Sequence, residues 1–147
     1  MERYVSNPSP VPTLVDTDLP ADLIFFDLRR AGRTFRANVF FNAPDAGVDT
    51  PLSTEAGYVG SMTVLGLGAC LADDGCEPRP PLDEFDIRMP LGFPRVTKTI
   101  VVPSAALARL TGDTFTITVL AVVPSGSGPR LVDELDFVWW RLVTYEH

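Results

Sequence analysis

The run of residues that decides the fold lies at 114–123 and has the sequence TFTITVLAVV. Its apolar residues at 115, 117, 119 and 121 alternate with threonines at 114, 116 and 118. Such an alternation is typical of a β-strand that buries one of its faces. The turn-forming sequence PSGSGP follows at 124–129, and a further β segment is predicted from Leu131 to about Val143.

Patterns of the same kind lie on the N-terminal side of this strand. Apolar runs at 23–28 and 35–41 flank the sequence RRAGR at 29–33, and together they predict a β-hairpin with a basic tip. Residues 58–65 predict another strand, in which Gly60 marks a bulge or a close approach of another backbone.

Two more strands and a helix are predicted between these runs. Phe85, Ile87 and Met89 alternate with charged residues and predict a half-buried strand, and residues 96–102 predict the next one. Ser104 is expected to cap the N-terminus of a single short helix, because its hydroxyl can accept a bond from a free backbone N–H.

Together these patterns predict a mainly β protein, an antiparallel β-sandwich of about seven strands with one short helix. At 147 residues the chain is long enough for one domain with its own core, which we place at residues 21–147. Residues 1–20 contain four prolines and predict an extended N-terminal arm that lies on the surface or orders against something else. The long loop at 42–57 is expected to serve a function or to wrap a partner.

Charge and hydropathy disfavour several classes of partner. The net charge of -7 disfavours nucleic acid and anionic membranes, because both are bound by clusters of Lys and Arg. No stretch of about 18 uninterrupted apolar residues predicts a membrane span, and the first residues lack the apolar core of a signal peptide. We therefore expect a cytoplasmic protein without membrane or nucleic-acid partners.

The chain is poor in residues that carry out catalysis or bind metals. Its single histidine is His147, the last residue, so Ser-His and Cys-His catalysis and histidine-based metal sites are not expected. Cys70 and Cys76 are six positions apart across a turn-like sequence. A disulfide between them is geometrically feasible, whereas a reducing compartment favours two free thiols. Two thiols fall short of a four-ligand zinc site, so no metal is expected on this chain.

Three features of the sequence each have two interpretations. The acidic clusters at 83–86 and 133–136 suit general acid–base catalysis or calcium, or they are outward positions of strands whose apolar residues point inward. Trp139 and Trp140 point to opposite faces of a strand, so that either one is an exposed contact residue or loops cover both. The basic residues within 29–33 form a solvated tip or dock a partner.

Two segments carry a resemblance to a known family. They are RTFRANVFFN at 33–42 and AGYVGSMTVLG at 56–66. With the later strands in matching order, they resemble the C-terminal β-sandwich of type 3 copper proteins, the family of molluscan haemocyanin units, tyrosinases and plant polyphenol oxidases. The resemblance covers about residues 21–138.

The resemblance implies a set of contact residues. In that family a histidine-rich helical domain holds a pair of copper ions, and a hydrophobic side chain of the β-sandwich occupies the substrate position. The resemblance assigns this placeholder role to Leu65 and implies that Tyr58, Met62 and Leu67 form the apolar surface that faces the copper domain. The competing interpretation is that Leu65 is a core residue. The copper-binding helical domain has no counterpart in this chain, so copper is expected only in a partner.

Three functional hypotheses follow. The leading one is a non-catalytic accessory subunit, a lid, stabiliser or copper-loading helper, that acts in trans on a histidine-rich, tyrosinase-like dicopper oxidase. The alternative is a stand-alone β-sandwich module for binding or self-assembly, which forms a homo-oligomer and has no copper connection. In both, the chain is not itself an enzyme and binds no cofactor. The third is an enzyme that uses carboxylates of the acidic clusters, which requires these groups to converge in a pocket.

Overall fold

The computed structural model describes residues 1–13, 18–30, 32–66, 83–85, 87 and 95–146. These residues form ten strands, one short helix and a 3-10 turn. The elements in chain order are β1 (Arg3–Val5), β2 (Ser9–Pro10), β3 (Ala21–Leu28), β4 (Phe35–Phe41), the 3-10 turn (Thr54–Ala56), β5 (Tyr58–Val64), β6 (Val96–Val102), α1 (Ser104–Leu107), β7 (Thr114–Phe115), β8 (Ile117–Val123), β9 (Arg130–Leu131) and β10 (Trp139–Val143).

The described strands form three antiparallel sheets. The main sheet has the order β1-β8-β4-β5, with β9 paired to β8. The second sheet has the order β10-β3-β6, and a short third sheet pairs β2 with β7. The prediction of a mainly β, antiparallel, sandwich-like protein is therefore confirmed.

The core lies between the main sheet and the second sheet. β3 buries alternate residues, including Leu23 and Phe25, as expected of a strand with one face on the core. Val39 of β4 and Val119 of β8 lie opposite each other in the main sheet and belong to the same buried cluster. The two sheets therefore share one hydrophobic interior.

Gly60 allows the two sheets to approach closely at one side of the sandwich. The register between β4 and β5 shifts between Val39 and Phe40, next to Gly60. A Cβ atom at Gly60 would lie only 2.7 Å from Cγ2 of Ile100 in β6. The bulge, one of the two alternatives predicted for this glycine, is confirmed, whereas the close neighbour is the side chain of Ile100 and not another backbone.

The predicted hairpin of residues 23–28 and 35–41 is wrong, because the two strands belong to different sheets. β3 pairs with β10 and β6, whereas β4 pairs with β5 and β8. At the end of β3, Asp27 has a φ of 57°, and the register to β6 shifts between Phe25 and Leu28. Such an irregularity bends a strand. An alternating pattern specifies which face of a strand is buried, but not which strand it pairs with.

The helix and the last β segment also differ in detail from the prediction. Ser104 is the first residue of α1, and Pro103 occupies the N-cap position without a side-chain capping bond. The β segment predicted from Leu131 to Val143 consists of two separate strands, β9 and β10.

The strand predicted around Phe85 and Ile87 is wrong at its described residues. Residues 83–85 form a bend and a turn, in which Oδ1 of Asp83 accepts a 2.9 Å hydrogen bond from the backbone N of Phe85. Such a local bond competes with strand pairing. Phe85 and Ile87 are 80% and 91% exposed, so they are not inward positions of a strand. Met89 lies outside the described residues.

The N-terminal segment contributes two strands to the fold. β1 forms an edge of the main sheet, with Tyr4 opposite Val119. The backbone N of Ser6 donates to the carbonyl of Ile117 at 2.9 Å, and Oγ of Ser6 accepts from the backbone N of Ile117 at 2.9 Å. β2 then pairs with β7. The N-terminal segment is therefore held along β8 and β7 by strand pairing.

The loop at residues 42–57, which we call the cover loop, lies on the outer face of the main sheet. Phe40 of β4 and Leu120 and Val122 of β8 point away from the central core, yet all three are buried. They pack with Ala46 of the cover loop in a second, smaller hydrophobic cluster. This long loop therefore wraps a sheet of its own chain.

Candidate functional site

The outer face of the second sheet has no comparable cover among the described residues. Leu23 and Phe25 point into the core, so their neighbours Ile24 and Phe26 point outward. The register places Trp139 opposite Phe26. We call this surface the open face, and it consists of Asp22, Ile24, Phe26, Thr99, Val101, Trp139, Arg141 and Val143.

A stacked aromatic pair lies on the open face. The rings of Phe26 and Trp139 are nearly parallel, with an interplanar angle of 8° and centroids 4.0 Å apart. Such a pair contributes about 0.5–1.5 kcal/mol beyond the area it buries. Trp139 nevertheless remains 48% exposed, and Val101 on the same face is also exposed. Apolar surface that is held in place and open to solvent is typical of a contact site.

Two charges of opposite sign also lie on the open face. Arg141 is opposite Ile24, and Asp22 is opposite Val143, so the charged residues occupy adjacent rows. The carboxylate of Asp22 accepts a hydrogen bond from the hydroxyl of Tyr145. This bond, and to a lesser degree lost hydration and the charge of Asp22, raises the pKa of Tyr145 above its ordinary value of 10.0. Within the part of the chain that the structure describes, Arg141 forms no ion pair.

The other tryptophan lies on the opposite side of β10. Trp140 packs edge-on against Phe115, with centroids 5.8 Å apart, and its Nε1 donates to the hydroxyl of Tyr4 at 3.2 Å. The prediction that the adjacent tryptophans point to opposite faces is confirmed, and of the two alternatives left open by the sequence the structure has the one in which a tryptophan, Trp139, is exposed. Trp140 fastens β10 to the N-terminal segment, whereas Trp139 is available for contacts.

Leu65, the placeholder residue implied by the family resemblance, follows directly after β5. Its side chain is 57% exposed, so it is not a core residue. Its backbone is anchored: Nε of Arg30 donates to the carbonyl of Leu65 at 2.8 Å, and the backbone N of Gly66 donates to Oγ1 of Thr34 at 3.0 Å. The leucine side chain therefore projects from a fixed base.

The other residues assigned to that surface do not all lie beside Leu65. Met62 is buried in the core between the sheets. Tyr58 is half-buried against Phe40, and its hydroxyl is hydrogen-bonded to Oγ of Ser61. Leu67 lies outside the described residues. Met62 therefore stabilises the core and does not form a surface with Leu65.

The acidic cluster at 133–136 consists of carboxylates that face cations. Asp133 lies 2.7 Å from the amino nitrogen of Met1, and Glu134 lies 3.4 Å from Nε of Arg33. Asp136 lies 3.7 Å from Arg95. Exposed ion pairs of this kind contribute about 0–1 kcal/mol each. Arg30 and Arg33, from the basic run, thus contact other loops of the same chain.

Cys70, Cys76, Asp86 and His147 lie outside the described residues. Within the described ranges, no group of three or more His, Cys, Asp or Glu side chains is placed to hold a metal ion. The helical part of the described chain is too short to cross a membrane. Comparison of the chain with family models, with curated proteins and with solved structures found no match.

The sequence patterns draw attention to the adjacent Trp139 and Trp140, but not to which of them is exposed nor to the rest of the open face. The uninterrupted apolar run LIFF at 23–26 does indicate that both faces of this strand are apolar, because apolar and polar residues alternate in a strand with one solvated face. Which residues lie opposite Trp139 depends on the register between β10 and β3, and no local pattern encodes that register.

Proposed function

We propose that this protein is a non-catalytic assembly module that associates with a second copy of itself through the open face. The observation that supports the proposal is the Phe26–Trp139 stack, which lies on the open face and leaves Trp139 48% exposed. Aromatic residues are enriched at protein interfaces, and Trp is among the side chains most enriched at their energetic centres.

The charges of the open face suit a symmetric pairing. In a two-fold interface each surface meets its own copy, so the surface must complement itself. A two-fold axis that lies in the interface, midway between Arg141 and Asp22, brings each Arg141 to the Asp22 of the other copy. This arrangement gives Arg141, which forms no ion pair within the described residues, an acidic partner across the interface and offsets part of the repulsion between two chains that each carry a charge of -7.

The size of the open face limits the strength of the association. Three strands about 4.8 Å apart and three rows of side chains about 7 Å apart give an area of roughly 300 Å². Stable interfaces bury about 800 Å² on each partner. We therefore expect a weak, concentration-dependent dimer with a Kd in the micromolar range or above.

Sedimentation velocity over a range of protein concentrations tests this proposal. The sedimentation coefficient of the wild type should rise with concentration, whereas Trp139→Ser should stay monomeric. Leu52→Ser is the matched control, because Leu52 is 49% exposed but lies in the cover loop, and it should behave as the wild type. A wild type that is monomeric throughout, or a dimer unaffected by Trp139→Ser, would contradict the proposal.

A charge exchange sharpens the same test. Asp22→Arg and Arg141→Asp should each weaken the dimer, because each places like charges in contact across the two-fold axis. The double variant should restore association. Equal weakening in all three variants would rule out the proposed pairing of Arg141 with Asp22.

A second candidate function is favoured by Leu65. A leucine that projects from an anchored backbone is suited to enter a cavity of a partner, which is the role that the resemblance to type 3 copper proteins implies. On this proposal the chain is an accessory subunit of a histidine-rich dicopper oxidase.

Co-purification with copper analysis tests the second candidate. The tagged protein should recover a histidine-rich, copper-containing oxidase, and Leu65→Asp should abolish the recovery. Leu52→Asp introduces the same charge at another exposed leucine and should leave recovery unchanged. Recovery of no such oxidase, or equal recovery with both variants, would remove the copper connection.

A further inference from the structure

A groove with a volume of about 430 Å³ separates β10 from the N-terminal segment. One wall contains Trp139, Trp140 and Leu142 of β10, and the other contains Ser6, Pro10 and Pro12. The hydrogen bond from Trp140 to the hydroxyl of Tyr4 links the two walls. The groove is therefore a fixed part of the fold.

The groove lies along the edge of β10. Trp139 and Trp140 point to opposite faces of the second sheet, so a cavity that touches both must lie at the edge of the strand. Within the described part of the chain, β10 pairs with β3 alone. Its other edge thus presents backbone N–H and C=O groups without a strand partner.

This edge lacks two of the features that protect strands from pairing, prolines and bulges, and carries a single charge, Arg141. β10 has the sequence WWRLV, and its register to β3 is regular over all five residues. An open, regular edge beside a groove is suited to accept another strand.

The lining of the groove indicates what kind of strand fits. No Asp, Glu, Lys or Arg lines it, so a charged side chain buried there would lose hydration without gaining an opposite charge. Pro10 and Pro12 have no backbone N–H and stiffen the far wall. A slender extended segment suits a groove with walls on both sides of the strand edge.

We propose that this groove binds an extended, uncharged peptide segment of another protein, which adds to β10 as a further strand of the second sheet. Backbone hydrogen bonds to β10 hold the segment, and alternate side chains contact Trp139 on one side and Trp140 and Leu142 on the other. About five residues of peptide match the length of β10. The site goes beyond the proposed self-association, because it lies at the edge of the sheet and not on the open face.

A synthetic hexapeptide of alternating threonine and valine, with blocked ends, is the probe. Its control has the same side chains but is N-methylated on alternate amides, prepared in both possible phases. Both tryptophans of the chain line the groove, so their fluorescence reports binding directly. The unmodified peptide should bind, and in one phase of N-methylation its affinity should fall at least tenfold, because the lost N–H groups are those that pair with β10.

Two variants place the site on the protein. Asn7 lines the groove and is exposed, so Asn7→Phe should fill the groove without disturbing the core and should reduce peptide affinity at least tenfold. Ser127→Phe, at an exposed turn, is the control and should bind as the wild type. Unfolding curves of both variants should match the wild type.

Several results would overturn the inference. They are the absence of peptide binding, equal binding of all the peptides, equal binding to Asn7→Phe, or slow hydrogen exchange at all five β10 amides in the isolated protein, which would mean that the edge is already paired. The self-association measured by sedimentation is a separate readout. A dimer that survives while the peptide fails overturns only the groove, and peptide binding without a dimer overturns only the proposed self-association.

Discussion

The outer faces of the two large sheets carry similar apolar side chains but differ in whether a loop covers them. Each presents apolar side chains away from the common core: Phe40 and Leu120 on the main sheet, and Ile24 and Phe26 on the second sheet. The cover loop buries the first pair, whereas the second pair lies on the open face. The apolar content of a strand therefore does not decide whether its outer face becomes core or contact surface. The presence of a covering segment decides it.

The cover is held by specific bonds as well as by apolar contact. Oγ1 of Thr118 donates to the carbonyl of Ala43, and the backbone N of Gly47 donates to Oγ1 of Thr50. The loop ends at Gly57, which adopts a left-handed conformation. These groups have no counterparts described on the open face, so the two faces should respond differently to matched substitutions.

Phe40→Ala should produce the largest loss of stability. Phe40 is fully buried under the cover loop, and such truncations cost about 3–5 kcal/mol of unfolding free energy. Phe26→Ala on the open face should cost about 1–2 kcal/mol, because Phe26 is only half-buried. Urea denaturation measures both values, and equal costs would erase the distinction between the two faces.

Gly57→Ala should come next, with a loss of about 2–3 kcal/mol. The φ of Gly57 is +91°, and a Cβ atom there would lie 2.5 Å from the carbonyl oxygen of Phe41. Gly126→Ala is the control, because a Cβ atom at Gly126 meets nothing within 4 Å, and it should change stability little. Thermal unfolding of the two variants compares them, and a tolerated Gly57→Ala would show that the end of the cover loop is free to rearrange.

Thr118→Val should cost about 1–2 kcal/mol, because it removes the hydroxyl that donates to Ala43 and leaves a carbonyl without its partner. The shape of the side chain is nearly unchanged. Thr99→Val makes the same change on the open face, where the side chain is exposed, and should have almost no effect. If chemical denaturation gives the same value for both threonines, the bond to Ala43 does not hold the cover loop.

The smallest effect concerns Tyr145 at the rim of the open face. Its hydrogen bond to Asp22 raises its pKa in the folded protein above that in the unfolded chain, so the associated stability is present below the unfolded pKa and is lost as pH rises through the folded pKa. The tyrosinate absorbance that is lost on Tyr145→Phe should therefore appear above pH 10.0. Asp22→Asn should move this titration towards the ordinary value, and an unmoved titration would argue against the bond.

Much of the fold follows from local pattern. The β-branched run at 96–102 predicts a strand that the structure contains, and Gly60 marks a bulge that exists. These predictions hold because side-chain spacing reflects burial along a single strand. The opposite orientations of Trp139 and Trp140 follow from the same rule. The single strand predicted from the period of two at 115–121 is interrupted at Thr116, so that Phe115 belongs to β7 and the rest of the run to β8.

Local sequence patterns did not predict which strands pair with each other or which outer faces are covered. The runs at 23–28 and 35–41 are adjacent in the chain and have the composition of a hairpin, yet they lie in opposite sheets. Thr118 lies at an outward position of its strand, where the sequence alone predicts a solvated side chain. It is nevertheless buried, because the cover loop, whose Ala43 lies 75 positions away in the chain, packs over it.

Side-chain period and turn residues were sufficient to predict a mainly β, antiparallel protein. The tertiary structure decided which strands share a sheet, that the cover loop buries the outer face of the main sheet, and that Phe26 meets Trp139 on the outer face that no described segment covers. The reason is physical: burial along one strand is a local property, whereas register and cover are set by contacts between residues far apart in the chain, whose energies no short window of sequence contains.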